Sequence, residues 1–272
     1  MRTSGRRSRS HLAGLAAVAG VVLALLAAPP ATAAGNPTHS APATARHTRT
    51  VSTTEQGCYE FNELARVPYT DIRAAVPERY TPHPGVTDPS VGFVIFVDYA
   101  CDTLTVDGRR WPRRSVTTMG VTPLDARDGQ PGFAYYVLWY GTNNPVLAGK
   151  LRSLGVPAHK IAAYDTVRGT DPTHSAITMK YRGARLNHVR TADVVEPPEQ
   201  PVTDVPSATF YFAGRRGEVA LSYANRFRPA STATTELRVG PRSVLAALGV
   251  PSTITGPTMF TRGDWVGTAV LD

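Results

Sequence analysis

The sequence predicts a mainly antiparallel β fold with a few short helices, closed or strongly curved into a barrel. Many short segments are rich in β-branched and aromatic residues, and turn residues separate them. The segment 91–106 is apolar on both faces at its centre, which is typical of a strand buried on both sides. Only two short segments have helical spacing, so the pattern is not the strand-helix alternation of a parallel sheet.

Residues 1–33 are predicted to be a signal peptide. Four arginines within the first nine residues precede an apolar run at 12–28, and Ala31-Thr32-Ala33 forms a small-residue cleavage site. The run ends at prolines and small residues, and no second run is long enough to span a bilayer. We therefore expect a secreted protein with no membrane attachment after cleavage. The pair Arg6-Arg7 leaves both the Sec and the twin-arginine export routes open.

Residues 34–55 are predicted to form a disordered leader, because this segment is rich in Thr, Ala, Pro and His and lacks apolar periodicity. The remaining residues, 56–272, are enough for a single domain with one sizeable core. The formal net charge of the whole chain is +8, and removing residues 1–33 takes away four arginines and no acid, which leaves +4. The basic residues are scattered, and this argues against a nucleic-acid partner.

The chain contains two cysteines, Cys58 and Cys101. In an oxidising compartment an even pair favours a disulfide, although two buried free thiols are the alternative. No Cys, His or acidic residues recur at the spacing of metal ligands, so neither a metal nor another cofactor is predicted.

The central part of the chain predicts three strands and then a helix. The strands are 91–106, 113–124 and 133–142, with a turn at 125–132. In the helix that follows, Asn143 or Asn144 can cap the N-terminus and Pro145 suits the first turn. Gly155 predicts the end of the helix, and Pro157 prevents its continuation.

The C-terminal part predicts further short strands and one more helix. The predicted elements are strands at 160–169, 175–183 and 185–195, a proline-rich connection at 197–206, a hairpin at 208–229, a short helix at 241–249 and a last strand at 264–270.

Two segments carry a resemblance to a known family. "DIRAAVPERYTP" (71–82) and, after an apolar strand, "NNPVLAGKLRSLGVPAHKIA" (143–162) resemble the acetoacetate decarboxylase-like superfamily. In that family a Gly-Phe-Pro-Lys segment supplies the lysine that forms a Schiff base. Here Gly155-Val156-Pro157 is followed by Ala158-His159-Lys160, so the lysine comes two residues later. Because strand side chains alternate with period two, the shift preserves the face to which Lys160 points. A glutamate of the family has no clear match near 107–116.

The resemblance implies an acetoacetate decarboxylase-like barrel and a catalytic role for Lys160. A lysine amine attacks a carbonyl only when it is deprotonated, which burial or a neighbouring cation favours. The alternative is an ordinary charge at a strand edge. Tyr99, Tyr140 and Arg113 are predicted to bind the substrate, although the two tyrosines also suit a barrel core.

We therefore expect a secreted enzyme that acts on a small oxo acid or related carbonyl compound through a lysine Schiff base, as a decarboxylase, lyase or cyclase. The alternative is a non-catalytic secreted module that binds a hydrophobic small molecule in the barrel. Burial of the Lys160 amine favours the enzyme, and exposure favours the binding module.

Overall fold

The structure, a computed structural model, describes most of the chain from residue 49 onward. The described residues are 49–125, 133–171, 174–183, 186–195, 203–214, 217–227 and 231–271. The predicted signal peptide, residues 34–48 of the predicted leader and most of the turn at 125–132 lie outside them. None of the helices in these ranges is long and apolar enough to cross a membrane.

Strands dominate the described part of the chain, as predicted. In chain order they are β1 Arg49–Pro68, β2 Val91–Val106, β3 Arg109–Trp111, β4 Ser115–Pro123, β5 Phe133–Thr142, β6 Ala158–Lys160, β7 Ala162–Asp171, β8 His174–Gly183, β9 Leu186–Val195, β10 Thr203–Gly214, β11 Gly217–Phe227, β12 Ser231–Val239 and β13 Thr253–Leu271. The helical elements are α1 Tyr69–Ala75, α2 Pro145–Leu154 and a 3-10 turn, Ala246–Leu248.

Within the described residues, seven strands close into a barrel. Their order is β1-β2-β4-β5-β10-β11-β13, and β13 pairs with β1 to complete the ring. The β5–β10 pair is parallel, whereas the other pairs of the ring are antiparallel. From β13 the sheet continues through β12, β9, β8 and β7, which we call the outer sheet. The predicted closed, mainly antiparallel barrel is confirmed.

The barrel wall separates two apolar cores. One core fills the barrel interior and includes side chains of α2, while the other lies between the barrel and the outer sheet. Strand β2 serves both: Val97 and Tyr99 face the interior, whereas Phe96 and Ala100 face the outer sheet. This arrangement explains why the segment 91–106 is apolar on both faces.

The first strand begins earlier than the sequence indicated. Residues 49–55, assigned to the leader, form the start of β1 and pair with β13, and from Thr53 they also pair with β2. Val51 and Thr53 are buried, whereas Ser52 and Thr54 are exposed. Because a threonine-rich strand resembles a polar leader in composition, only its pairing with two neighbours reveals it. The folded domain therefore starts at or before Arg49, and not at residue 56.

Strands β2 and β5 and helix α2 agree with the prediction. The Asn144 side chain caps α2 by accepting hydrogen bonds from the N–H groups of Val146 and Leu147, both at 2.9 Å. Gly155 ends the helix with φ 98°, a left-handed conformation that favours glycine. The local rules of capping thus place this helix correctly.

Other elements differ from the prediction. Strands β1, β3 and β12 and helix α1 were not predicted, and β13 begins at Thr253, about ten residues before the predicted strand. The predicted helix at 241–249 is reduced to the 3-10 turn. Strand β10 begins inside the predicted proline-rich connection, of which residues 197–202 lie outside the described ranges. The predicted hairpin at 208–229 is present as β10 and β11.

Candidate functional site

A β-bulge in β1 turns an acidic residue and a cysteine into the barrel interior. The pairing register shifts between Glu55 and Cys58, and both residues are buried. Gly57 adopts φ 61° in the bulge, and its N–H donates a hydrogen bond to the Asp264 carboxylate at 2.9 Å. Cys58 is joined to Cys101 by a disulfide, with 4.0 Å between their Cα atoms. The predicted disulfide is confirmed.

Glu55 is almost completely buried beside this disulfide. Its Oε2 atom lies 3.5 Å from the Sγ atom of Cys101. Burial, and then repulsion by Glu60, raise the pKa of Glu55 to about 8, while the nearby Tyr99 hydroxyl partly offsets the rise. The carboxyl group is therefore mainly protonated at neutral pH. Both sulfur atoms are taken by the disulfide, so the trio of Glu55, Cys58 and Cys101 offers no thiolate to a metal ion.

Three tyrosines surround this carboxyl group. Tyr99 and Tyr140, the two tyrosines predicted to bind substrate, are both buried in the barrel interior together with Tyr223. Burial raises the pKa of Tyr99 well above its usual value, and Glu55, Tyr140 and Tyr223 raise it further. All three hydroxyls thus remain neutral at physiological pH and can donate hydrogen bonds. Their contact with a substrate stays a prediction.

A second acid lies on the same face of β1. Glu60 is the cross-strand partner of Tyr99, and it is partly buried. Burial raises the pKa of Glu60 to about 7, although a hydrogen bond from the Asn62 amide opposes the rise. We call Glu55, Glu60, Tyr99, Tyr140 and Tyr223 the barrel cluster. Neither acid was predicted as a site residue, because Glu55 fell in the assigned leader and no spacing in the sequence marks either as buried.

Several polar atoms of the barrel interior lack partners. The Oε1 atom of Glu55 and the hydroxyls of Tyr99, Tyr140 and Ser115 are buried and have no hydrogen-bond partner at normal distance among the described residues. A buried donor or acceptor without a partner costs about 1–3 kcal/mol. Such groups are rare in folded proteins, and several close together favour a place where another molecule binds.

A surface groove of about 400 Å³ is lined by one residue of the barrel cluster, Glu55. Its volume is within the usual range of small-molecule sites. Glu55 and Trp265 belong to its lining, and the ring of Trp265 lies 5.5 Å from that of Tyr99. The other lining residues are Thr54, Gln56, Asp204, Ser207, Ala224, Arg226, Asp264 and Val266.

The structure places the other predicted site residues outside the barrel interior. Lys160 ends β6 opposite Thr142, and its side chain is exposed. Ala158, which directly follows Gly-Val-Pro, is buried in the interior instead. Arg113 is exposed, whereas Tyr99 and Tyr140 are buried in the barrel interior. Alternation along β6 was expected to point Lys160 inward, but the strand ends there and the side chain reaches solvent.

The other two lysines are also exposed. Lys150 forms an ion pair with Asp107 at 3.0 Å, and the amine of Lys180 lies 5.8 Å from the ring centre of Tyr164. The chain contains only these three lysines. No lysine amine is therefore desolvated inside the barrel.

A second polar cluster lies between the barrel and the outer sheet. Arg190 of β9 has no exposed surface, and its guanidinium contacts Asp98 of β2 at 2.7 Å and Glu63 of β1 at 2.5 Å. The Nε2 atom of His188 lies 3.6 Å from Asp98, and Thr235 donates a hydrogen bond to Glu63 at 3.1 Å. We call Glu63, Asp98, His188 and Arg190 the ion cluster.

Arg190 lowers the pKa of both carboxylates of the ion cluster, against the effect of burial. Burial raises the pKa of Asp98, but attraction by Arg190 and polar interactions with His188 and Thr118 outweigh burial and hold it well below its usual value. Burial raises the pKa of Glu63, and Arg190 reduces that rise. The Asp98–Arg190 ion pair thus joins β2 of the barrel to β9 of the outer sheet.

The buried Glu55 predicts a distinctive pH dependence of stability. Its pKa rises on folding, so between pH of about 4.5 and 8 the folded protein holds a proton that the unfolded chain has released. The free energy of unfolding should therefore fall with rising pH in this window, by up to about 1.4 kcal/mol per pH unit for one proton, and level off above it. Glu55→Gln should remove this contribution, as measured by urea denaturation from pH 5 to 9.

The exposed Glu78→Gln is the matched control and should keep the wild-type slope. Glu60 contributes a similar fall below pH of about 7, which remains in the Glu55→Gln protein. An unchanged slope between pH 7 and 8 in that protein would contradict the assignment of the proton to Glu55.

Comparison with known proteins gives matches in structure only. No family model matches the sequence, and no curated protein matches it. Among solved structures, an acetoacetate decarboxylase-like enzyme from Sphingomonas wittichii RW1 matches with a TM-score of 0.53 and 9% identity, over 88% of this chain and 99% of that chain. An acetoacetate decarboxylase matches with a TM-score of 0.51 and 14% identity, over 80% of this chain and 88% of that chain.

A third similar structure is the enduracididine biosynthesis enzyme MppR, complexed with the condensation product of pyruvate and imidazole 4-carboxaldehyde. It matches with a TM-score of 0.50 and 16% identity, over 82% of this chain and 89% of that chain. At these identities the likeness concerns the fold. The seven-stranded barrel, found among the described residues, agrees with it. The protein therefore has an acetoacetate decarboxylase-like fold.

Proposed function

We propose that this protein binds a small, uncharged carbonyl compound at the barrel cluster and holds the carbonyl oxygen by hydrogen bonds, without a Schiff base. One observation carries the proposal. Glu55, Tyr99 and Tyr140 bring polar atoms that have no hydrogen-bond partner at normal distance close together in the barrel interior, and each of these groups can donate a hydrogen bond at neutral pH. A carbonyl oxygen has two lone pairs and accepts from such donors.

The lysines favour binding without a covalent bond. Schiff-base formation requires an amine that has lost its proton, and burial is the usual way to obtain one. All three lysines of this chain are exposed, and Ala158 occupies the buried position after Gly155-Val156-Pro157. This placement supports a binding site in which neutral donors hold the ligand.

The charges around the groove favour an uncharged ligand over an oxo acid. Glu55 lines the groove together with Asp204, Asp264 and Arg226, and the Arg226 guanidinium is paired with Asp204 at 3.2 Å. A ligand carboxylate would meet no unpaired cation among these residues, and close like charges repel one another. A ketone, aldehyde or ester avoids this repulsion and suits the aromatic surroundings.

A Schiff base at Lys160 is the second candidate function. Lys160 lies on the short strand whose Ala158 faces the barrel interior, and a similar structure, MppR, is complexed with a condensation product of pyruvate. That ligand makes oxo acids the natural test for this candidate.

We also propose export of the protein, which the N-terminal sequence pattern and the buried disulfide support.

The hydrogen-bond proposal predicts a measurable effect of one hydroxyl. Tyr99→Phe should weaken the binding of cyclohexanone or butanone about 3- to 10-fold, because one hydrogen bond contributes about 0.5–1.5 kcal/mol. Ligand-observed saturation-transfer NMR titrations measure the dissociation constants, with pyruvate as the charged comparison. Tyr164→Phe, on an exposed tyrosine of β7, is the matched control and should bind like wild type. Equal affinities of the Tyr99→Phe protein and wild type would contradict the proposal.

Borohydride trapping separates the two candidate functions. Under the proposal, treatment with borohydride and cyclohexanone or pyruvate adds no mass from the carbonyl compound to the protein, because no imine forms. An adduct that persists in Lys150→Arg and disappears in Lys160→Arg would instead establish the Schiff base, since arginine does not deprotonate near neutral pH. Intact-protein mass spectrometry reads both outcomes.

A further inference from the structure

We propose that the barrel cluster also catalyses proton exchange at the carbon next to the bound carbonyl, with Glu60 as the base and with Glu55 and Tyr99 as donors to the oxygen. This inference rests on the proposed function. The C–H bond beside the carbonyl breaks, and its electron pair forms a carbon–carbon double bond. The carbonyl π pair moves to the oxygen, and the proton goes to the Glu60 carboxylate. The reverse step returns a proton from solvent.

Pairing in the barrel wall places the base opposite a donor. Glu60 on β1 and Tyr99 on β2 are cross-strand partners, so their Cβ atoms are about 4.5–5.5 Å apart on one face. Glu60 also raises the pKa of Glu55 and of Tyr223, as a charge within the same interior does. A carbonyl compound held by Tyr99 therefore has its neighbouring carbon within reach of Glu60.

The two acids differ in the way that the reaction requires. Glu55 is almost fully buried beside the disulfide, which favours its neutral, donating form. Glu60 is only partly buried and accepts a hydrogen bond from the Asn62 amide, which favours its carboxylate. A neutral donor and a carboxylate side by side are the usual arrangement for proton transfer at neutral pH.

Access to water distinguishes exchange from simple binding. The Glu60 residue is partly exposed, so a proton taken from the ligand can leave to solvent before the reverse step. In D₂O each cycle then replaces one hydrogen of the ligand by deuterium. The net chemistry is isotope exchange, which needs no further reactant.

The test follows the α-protons of cyclohexanone in D₂O by ¹H NMR with the full-length protein. Wild type should speed their loss above the rate in buffer, and Glu60→Gln should reduce this acceleration about a hundredfold or more, as expected for removal of a general base. The exposed Glu78→Gln is the matched control and should exchange like wild type. The wild-type rate should be highest between pH of about 7 and 8, where Glu60 is ionised and Glu55 is protonated.

Parallel binding measurements keep the two proposals separable. If saturation transfer shows that cyclohexanone binds while exchange stays at the buffer rate, this inference is overturned and the proposed function stands. If cyclohexanone does not bind, the proposed function fails, and this inference fails with it. Exchange that survives in Glu60→Gln but is abolished by prior treatment with borohydride and cyclohexanone together would assign the chemistry to an imine and overturn the role of Glu60.

Discussion

Replacing Arg190 by methionine should destabilise the protein by about 3–5 kcal/mol, a large part of the stability of an ordinary domain. The guanidinium has no exposed surface and is held at 2.7 Å from Asp98 and 2.5 Å from Glu63. Methionine fills much of the volume but leaves Asp98 buried without its cation. Urea denaturation at pH 7 measures the change in the free energy of unfolding.

Two further variants separate charge from packing. Arg238→Met is the matched control, because Arg238 forms an exposed pair with Glu236, and such pairs contribute at most about 1 kcal/mol. Combining Arg190→Met with Asp98→Asn and Glu63→Gln should recover part of the loss, since no uncompensated charge remains buried. If Arg190→Met alone stays within about 1 kcal/mol of wild type, the ion cluster does not hold the outer sheet on the barrel.

Removing the disulfide should cost about 4 kcal/mol. Cys58 and Cys101 are 43 residues apart, and the chain-entropy model gives roughly this value for a loop of that length. The bridge also joins β1 to β2 directly after the bulge that turns Glu55 inward. We therefore expect the double variant Cys58→Ala and Cys101→Ala to unfold at a lower urea concentration and to bind cyclohexanone more weakly.

The reductant provides the control for this prediction. Wild type is unfolded and refolded in dithiothreitol so that the buried bridge is reduced. The urea concentration at its unfolding midpoint should then fall toward that of the double variant. The midpoint of the double variant itself should not change with dithiothreitol. Counting thiols under denaturing, non-reducing conditions should give none per wild-type chain. Two free thiols per chain, or a double variant as stable as wild type, would contradict the stabilising role of the bridge.

Much of the fold follows from local patterns in the sequence. Strands β2 and β5 were predicted with their observed bounds because their composition is strongly β-forming and turns flank them. Helix α2 was placed by a capping asparagine and a terminal glycine, which act within a few residues. Strand β12 and the N-terminal half of β13 were missed, because their residues carry weak alternation and are fixed by pairing with each other.

The candidate site was predicted only in part. Tyr99 and Tyr140 were chosen as aromatic residues of buried strands, and the structure does bring them together. Glu55 was missed because a bulge, invisible in composition, decides which way it points. Lys160 was chosen because it follows a segment that resembles a family motif. It is the last residue of β6, and its side chain is exposed.

The sequence by itself determined the fold class, the disulfide and the capped helix, since propensity, cysteine number and capping are properties of short segments or of composition. The tertiary structure decided which charges are buried. Arg190, Asp98 and Glu63 come from three strands distant in the chain, and their meeting depends on how the outer sheet lies on the barrel. The same is true of Glu55 and its tyrosines, because burial and hydrogen bonding are set by neighbours across the sheet and not along the chain.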